Sequence, residues 1–443
     1  MKVKSCSYSK GVENFAPVIK SYEDITTIAV EDPDVVYIPT RQMKGHLPIV
    51  VATKGDEVKV GSRLAVSGNN IVCSTVSGLV EEVITLPSVY GGATEVVVIR
   101  NNHKNDAELL EKYSLDESSP EELQKALRTI SITDYDGYTI LDKLMSLGKE
   151  TEKTLIVNLV NDEPYINNAA MMIGEKREEC FNAIKCMAKI MNSSNIIIAV
   201  KQDEMKLHSQ FFTHITNEGF DLNIVVATIP NRYPVGDELQ LVQTIMKRKF
   251  NSVKEARDSG LVAFDLYTLY ALYKLVIDGE YITTRPVSII EQDEYKIKSV
   301  CAWVKVGSTI KDVLSAMYLN GMQGVRKIVA GGPMRGIALG SEMASVTTSL
   351  KAIMAIRDKL SDYPNELPCI TCGKCAKVCP VGIVPYEIDE CTTDRDFNEA
   401  VKLGANKCVK CGCCSHVCPS KRFLTQRIYY AKEIINNKGI KNE

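Results

Sequence analysis

The chain has 443 residues, 45% of them apolar and 24% charged. That length suits about three domains or more, and the composition is ordinary for a globular protein. A net charge of −2 argues against a broad basic field for nucleic acid or an anionic lipid surface.

The opening "MKVKSCSYSKGVENF" has no apolar stretch like that of a secretory signal, and residues 1–30 read as an N-terminal arm. Residues 31–105 alternate short apolar runs with turn residues at Gly55, Gly61, Asn69–Asn70 and Gly78. The phrases "KGDEVKVG" and "TVSGLV" resemble those of a biotinyl/lipoyl-type barrel-sandwich domain. No lysine stands between Arg63 and Ser77 to carry a prosthetic arm, so this module is expected to be scaffold. Cys73 reads as a half-buried strand residue, and Gly91–Gly92 as a hairpin turn.

After a polar linker, Ser119, Pro120 and Glu122 announce a helix as N-cap, N1 proline and capping-box acid. Residues 115–280 then read as a Rossmann-like α/β domain. Short continuous apolar strands ("TLIVNLV", "SNIIIAV", "DLNIVVATI") alternate with helices such as "EECFNAIKCMAKIM", as in a parallel sheet covered on both faces. Ligands of such folds bind at the carboxyl ends of the strands, which puts "NDEPYINN" (161–168) and "PNRYPVGDE" (230–238) at the site mouth. The run "LVAFDLYTLYALYKLVI" (261–277) is expected as one buried helix. It is shorter than the ~20 apolar residues a membrane span needs and carries Asp265 and Lys274. Residues 281–350 read as a small α+β module, with "AGGPMRG" (330–336) as a tight backbone crossing.

The last segment, 360–443, holds "CITCGKCAKVCP" (369–380) and "CVKCGCCSHVCP" (408–419). Both have the spacing C-x₂-C-x₂-C-x₃-C-P of paired cubane clusters, in which the fourth cysteine of each run ligates the other cluster. One [4Fe–4S] centre is therefore assigned to Cys369, Cys372, Cys375 and Cys418. The second takes Cys408, Cys411, Cys414 and Cys379. Structural zinc usually uses two well-separated C-x₂-C pairs, and disulfide frameworks belong to small secreted domains; neither suits this spacing. Cys413 is out of register and reads as a packed thiol. Thiolate ligands imply a reducing, cytoplasmic compartment, with peripheral attachment to the inner face of the membrane only through partners. The five histidines form no recognisable catalytic or metal motif; His416 reads as a surface loop residue.

In this order the phrases resemble one family, the RnfC-like proteins. These comprise the C component of the Rnf electron-transport complex and its soluble relatives, among them the proline-reductase-associated electron-transfer protein. The phrases are "KGDEVKVG", "STVSGLV", "IVNLVNDEPYI", "YPVGDELQLV", "TTRPVSI", "VAGGPMRG" and "CVKCGCCSHVCPSK". The resemblance implies a β-grasp (SLBB-like) module over 281–350, and an α/β domain similar to the complex I flavin subunit that binds FMN and NADH, with Glu163, Tyr165 and Gly236 at that site. Three departures bear on it. The glycine-rich flavin loop is replaced by "ITDYDGYTILDKL" (132–144), leaving only Gly137, with Tyr135, Tyr138 and Thr139 expected to crowd the flavin. Where the family has Gly-Ala-Glu-x-Glu-Pro-Tyr, this chain reads Leu159-Val160-Asn161-Asp162-Glu163-Pro164-Tyr165, keeping the last three residues and losing the glycine and the first carboxylate. Asp237 replaces a glycine and adds negative charge on the phosphate path. The expected function is an iron–sulfur relay to a partner, either a proline-reductase-type enzyme or the other Rnf subunits. The alternatives are a full FMN-containing NADH oxidoreductase and an assembly protein with structural clusters.

Overall fold

The computed structural model describes residues 2–42, 48–68, 70–127, 132, 134, 138–148, 152–160, 163–217, 222–293, 296–317, 322, 324–357 and 365–440. Two strands, β1 (Lys2–Ser5) and β2 (Val12–Glu13), come first. Seven more follow: β3 (Val35–Pro39), β4 (Ile49–Val50), β5 (Glu57–Val58), β6 (Arg63–Ser67), β7 (Asn70–Cys73), β8 (Gly78–Pro87) and β9 (Ala93–Asn101). They make a four-stranded antiparallel sheet in the order β3-β9-β8-β5 and a three-stranded one, β4-β6-β7. Leu64, Val76, Val80 and Ile99 fill the core of this module. Gly91 and Gly92, both left-handed, turn β8 into β9, a conformation that costs glycine nothing sterically.

The central module contains α1 (Pro120–Ala126), α2 (Ile140–Met145), β10 (Thr154–Asn158), α3 (Asn168–Glu175), α4 (Arg177–Met191), β11 (Asn195–Lys201), α5 (Ser209–Asn217), β12 (Asn223–Ile229), β13 (Arg232–Tyr233), α6 (Glu238–Met246), α7 (Val253–Asp258), β14 (Leu261–Asp265) and α8 (Leu266–Tyr273). Its five-stranded sheet, β1-β12-β11-β10-β14, is parallel throughout. Leu155, Val157 and Ile196 bury one face against Phe181, Ile184 and Met187 of α4. Ile156, Ala199 and Ala227 bury the other against Leu241 and Ile245 of α6. Covering on both faces is why these strands read as continuous apolar runs.

Two expectations are corrected here. Residues 261–277 are not one helix: Leu261–Asp265 is the edge strand β14, and Asp265 then caps α8 by accepting a hydrogen bond from the Thr268 N–H at 2.8 Å. A short apolar run buried on all sides carries no periodicity to separate strand from helix. The N-terminal segment is not a separate arm either, because β1 pairs in parallel with β12 and β2 pairs with β13.

The third module comprises β15 (Thr284–Gln292), β16 (Ile297–Lys305), α9 (Ile310–Met317), β17 (Lys327–Ala330), β18 (Ile337–Leu339) and β19 (Ala352–Ile356). Its sheet runs β16-β15-β19-β17-β18, with Ile310, Val313 and Leu314 of α9 in its core. The last module is helical: α10 (Lys374–Val378), α11 (Pro385–Thr393), α12 (Phe397–Lys402), α13 (Cys413–His416) and α14 (Leu424–Lys438), around Ile388, Val401, Ile428 and Ile435. Among the described residues no helix is long and apolar enough to cross a membrane.

Candidate functional site

The two cysteine runs repeat each other's backbone. In the first, Thr371, Gly373 and Gly382 are left-handed; in the second, Lys410, Gly412 and Lys421 stand at the same offsets and are left-handed too. Positive φ at Thr371 and at the two lysines is a local strain that surrounding structure must hold. It curls each loop so that backbone N–H groups turn toward sulfur. Thr371 donates to Cys369 Sγ and Lys410 to Cys408 Sγ, both at 3.4 Å.

Each curl closes on a hollow. Cys369, Cys372, Cys375 and Cys418 line one of about 330 Å³. Cys379, Cys408, Cys411 and Cys414 line another of about 330 Å³. The fourth cysteine of each run thus crosses to the hollow of the other. Four sulfurs around each hollow, with a backbone N–H turned toward sulfur in each loop, fit a cubane. Structural zinc, by contrast, takes its ligands at about 2.0–2.3 Å from one centre.

The hollows differ in burial. Cys372 is exposed, with Cys369 and Cys418 half-buried, so the first hollow faces outward. Cys379, Cys411 and Cys414 are buried, and the second hollow faces the central module. Burial pushes the thiols of Cys375, Cys379 and Cys408 up, and that of Cys414 up to about 12. The Cys411 thiol is raised chiefly by its neighbour Cys413 and then by burial. Metal ligation requires thiolates, so a bound cation would supply what the protein interior withholds. Cys413 is fully buried, its sulfur 3.9 Å from the Tyr233 carbonyl. His416 is exposed and stacks on Phe15 at 5.4 Å between ring centres.

Between the second hollow and the sheet lies a polar clasp. Tyr233 donates its hydroxyl proton to the Cys411 carbonyl at 2.6 Å and accepts from Arg335 Nε at 3.0 Å. Arg335 also pairs with Asp237 at 3.0 Å. Glu163, on the exit from β10, accepts from the N–H groups of Met334 and Arg335 at 2.8 and 3.1 Å. The "AGGPMRG" turn makes this possible. A Cβ at Gly332 would lie 2.5 Å from Glu163 Oε2, and one at Gly412 would lie 2.5 Å from the Met334 carbonyl. Tyr165 is left-handed, with φ of 66°. Its carbonyl accepts from Ser299 Oγ at 2.7 Å, and its hydroxyl donates to the Phe15 carbonyl at 3.4 Å. The Gly236 carbonyl accepts from Asn158 Nδ2 at 2.9 Å.

A second feature sits beside β14. Lys143 of α2, fully buried, pairs with buried Asp134 and with Glu238, the latter at 3.1 Å, and donates to the Ala263 carbonyl at 3.3 Å. Arg257 pairs with Glu238 at 2.9 Å, and Thr268 Oγ1 donates to Asp134 at 3.0 Å. Two cations and two carboxylates thus tie α2, α6, α7 and α8 to the open edge of the sheet. At the carboxyl ends of β10 and β14 a hollow of about 420 Å³ is crossed by the pair Asp265–Lys351 at 3.2 Å.

Among the described residues, Glu163 is engaged by two N–H groups of the third module and Asp237 is paired with Arg335. Of the residues expected to crowd a flavin, Tyr135 lies outside the described residues, as does Gly137. Tyr138 is 53% exposed, and the Arg257 guanidinium lies over its ring, 5.1 Å from the ring centre. Thr139 caps α2, accepting from the Asp142 N–H at 3.0 Å. Sequence reasoning missed Arg335, Tyr233, Lys143, Asp134 and Glu238. Their partners are distant in the chain, and only the unusual charge at Asp237 hinted at a cation opposite.

A parallel α/β unit carrying two crossed four-cysteine loops is the architecture that fold and site define. Residues 134–274 match the Nuo51 FMN-binding domain of the Complex1_51K family. The C component of the ion-translocating oxidoreductase complex of Vibrio cholerae is 24% identical over 383 residues, covering 84% of this chain and 48% of that protein. The C component of the proton-translocating ferredoxin:NAD(+) oxidoreductase complex of Clostridium ljungdahlii is 27% identical over 363 residues, covering 80% and 77%. The chain is thus similar to these C components, and it spans about half the length of several curated relatives it matches. A solved chain of NAD+-reducing [NiFe]-hydrogenase in the H2-reduced state shares the fold, with a TM-score of 0.50 at 13% identity over 75% of this chain and 63% of that one.

Proposed function

We propose that the protein is an iron–sulfur relay, passing single electrons through two [4Fe–4S] clusters held by Cys369, Cys372, Cys375 and Cys418, and by Cys379, Cys408, Cys411 and Cys414. The observation that carries this reading is the exchange of Cys379 and Cys418 between the two hollows, the ligand order of paired clusters. The upstream modules, read as a barrel-sandwich scaffold, a Rossmann-like unit and an SLBB-like β-grasp, serve as docking body, with Tyr233 and Arg335 bracing the inner cluster loop. The names of the relatives favour an ion-translocating complex as partner, and neither relative named above is a proline-reductase protein.

The match to an FMN-binding domain favours a second reading, a flavoprotein oxidising NADH. The hydrogen bonds that already engage Glu163 and the ion pair at Asp237 weigh against it. Anaerobically purified protein, treated with acid and assayed for released flavin alongside iron, separates the two. Iron without flavin supports the relay, and about one FMN per chain replaces it with the flavoprotein.

A further inference from the structure

The two ligand loops share a backbone but differ at one side chain. The first reads Cys372-Gly373-Lys374-Cys375 and the second Cys411-Gly412-Cys413-Cys414. Both glycines are left-handed, so residues 374 and 413 leave equivalent positions. Lys374 is exposed, and a Cβ at Gly373 would meet open space. Cys413 is fully buried beside Val12, Tyr233 and Cys411, with Met334 and Val417 packed on them. It lines the inner hollow together with the four cysteines assigned there as ligands. Its sulfur makes a side-chain hydrogen bond with that of Cys411, and the Tyr233 carbonyl lies 3.9 Å from it. A thiol has one proton to give. Metal ligation takes the Cys411 proton, which leaves Cys413 as the donor of the pair. A ligating sulfur carries negative charge, and a charge-assisted bond is stronger than one to a neutral carbonyl at 3.9 Å. Tyr233 steadies the arrangement from outside, donating its hydroxyl to the Cys411 carbonyl at 2.6 Å. The apolar walls strengthen any hydrogen bond made between them.

We propose that Cys413 is a positioning residue for the inner cluster: its S–H donates to the Cys411 sulfur and holds that cluster at a higher reduction potential than four ligands alone would give. The proposal rests on the two-cluster reading above. Reduction adds one negative charge, spread over the sulfurs, and a donor aimed at one of them stabilises the reduced state more than the oxidised one. With exposed Lys374 at the equivalent position, the outer loop carries no thiol there, so the effect is confined to one cluster.

The test is a redox titration of the full chain, prepared anaerobically and followed by electron paramagnetic resonance. In Cys413→Ala one of the two reduction steps should move to lower potential while the other stays in place, with iron content as in wild type. Cys413→Ser keeps an O–H donor and should recover most of that shift. A residue that only packs would change iron content and leave both potentials alone. Infrared spectroscopy supplies a readout that does not need the alanine variant to assemble. The reduced-minus-oxidised spectrum of wild-type protein should contain an S–H stretching band that shifts on reduction, and Cys413→Ser should lack it. Iron-replete Cys413→Ala with both steps at wild-type potentials, a serine variant displaced as far as the alanine one, or no responsive S–H band overturns the role of Cys413 alone. Wild-type protein without iron overturns the two-cluster reading and this proposal with it.

Discussion

Replacing Lys143 by methionine tests how the central module is held. The ammonium is fully buried, as is Asp134, and the side chains of Glu238 and Arg257 are 7% and 6% exposed. Among the described residues these are two cations and two carboxylates. Replacing Lys143 by a neutral side chain of similar volume leaves a buried carboxylate short of its partner, beside an edge-strand carbonyl that has lost a donor. Breaking a buried ion pair from one side costs about 3–5 kcal/mol. At a urea dependence of ~2 kcal/mol per molar, the unfolding midpoint should fall by about 2 M. The assay is anaerobic urea unfolding followed by far-ultraviolet circular dichroism, with absorbance near 400 nm reporting separately on any clusters. Lys143→Met/Asp134→Asn removes one charge of each sign and leaves Glu238–Arg257 intact, so it should recover most of the loss. If Lys143→Met unfolds at the wild-type midpoint, the ion chain is not what fastens α2 over β14.

Gly412→Ala must move either its own left-handed backbone or the Met334 carbonyl 2.5 Å from the new Cβ. Gly373→Ala meets only the left-handed strain, with open space around it, costing ~1–2 kcal/mol. Iron content under identical preparation should therefore fall further in Gly412→Ala than in Gly373→Ala. Burial and then the charge of Lys201 press the His208 imidazole down to about 4, and Tyr22 sits 2.9 Å from its Nδ1. The unfolded chain, with an imidazole near 6.5, then binds the extra proton first. Stability falls as pH drops from 6.5 to 4, by about 3 kcal/mol at 1.36 kcal/mol per unit. In His208→Gln that slope should vanish from urea midpoints measured across the window. Arg335→Met removes a cation that acts on Cys411 and leaves Asp237 unbalanced. In an electron-paramagnetic-resonance redox titration the inner cluster should move to lower potential while the outer one stays in place.

The cysteine runs were legible because their ligand spacing is fixed by short stretches of covalent chain. The left-handed positions at Gly373 and Gly412 came only with the structure. Those at Thr371, Lys410 and Lys421 could not have been foreseen, since nothing about threonine or lysine advertises positive φ. The parallel sheet was visible in its apolar runs, yet β14 was lost inside one, and β1 was too short and too polar to stand out. The clasp of Glu163, Tyr233, Asp237 and Arg335 lay beyond reach for another reason. Each residue has an ordinary solvent-exposed reading, and only the packing of residues 332–336 against the exit of β10 decides otherwise. The same packing determines which hollow faces solvent, a fact on which the sequence is silent.

The central claim is that two cages of four thiolates each enclose an iron–sulfur cube, near enough for electrons to pass between them. Iron and acid-labile sulfide counted on strictly anaerobic protein, with the paramagnetic spectrum of the dithionite-reduced sample, test it most directly. The account predicts about eight iron atoms and as many sulfides per chain, four for each of two cubanes, and a reduced spectrum broadened by two interacting centres. Zinc at stoichiometric level, or protein with neither iron nor sulfide after anaerobic reconstitution, would contradict it.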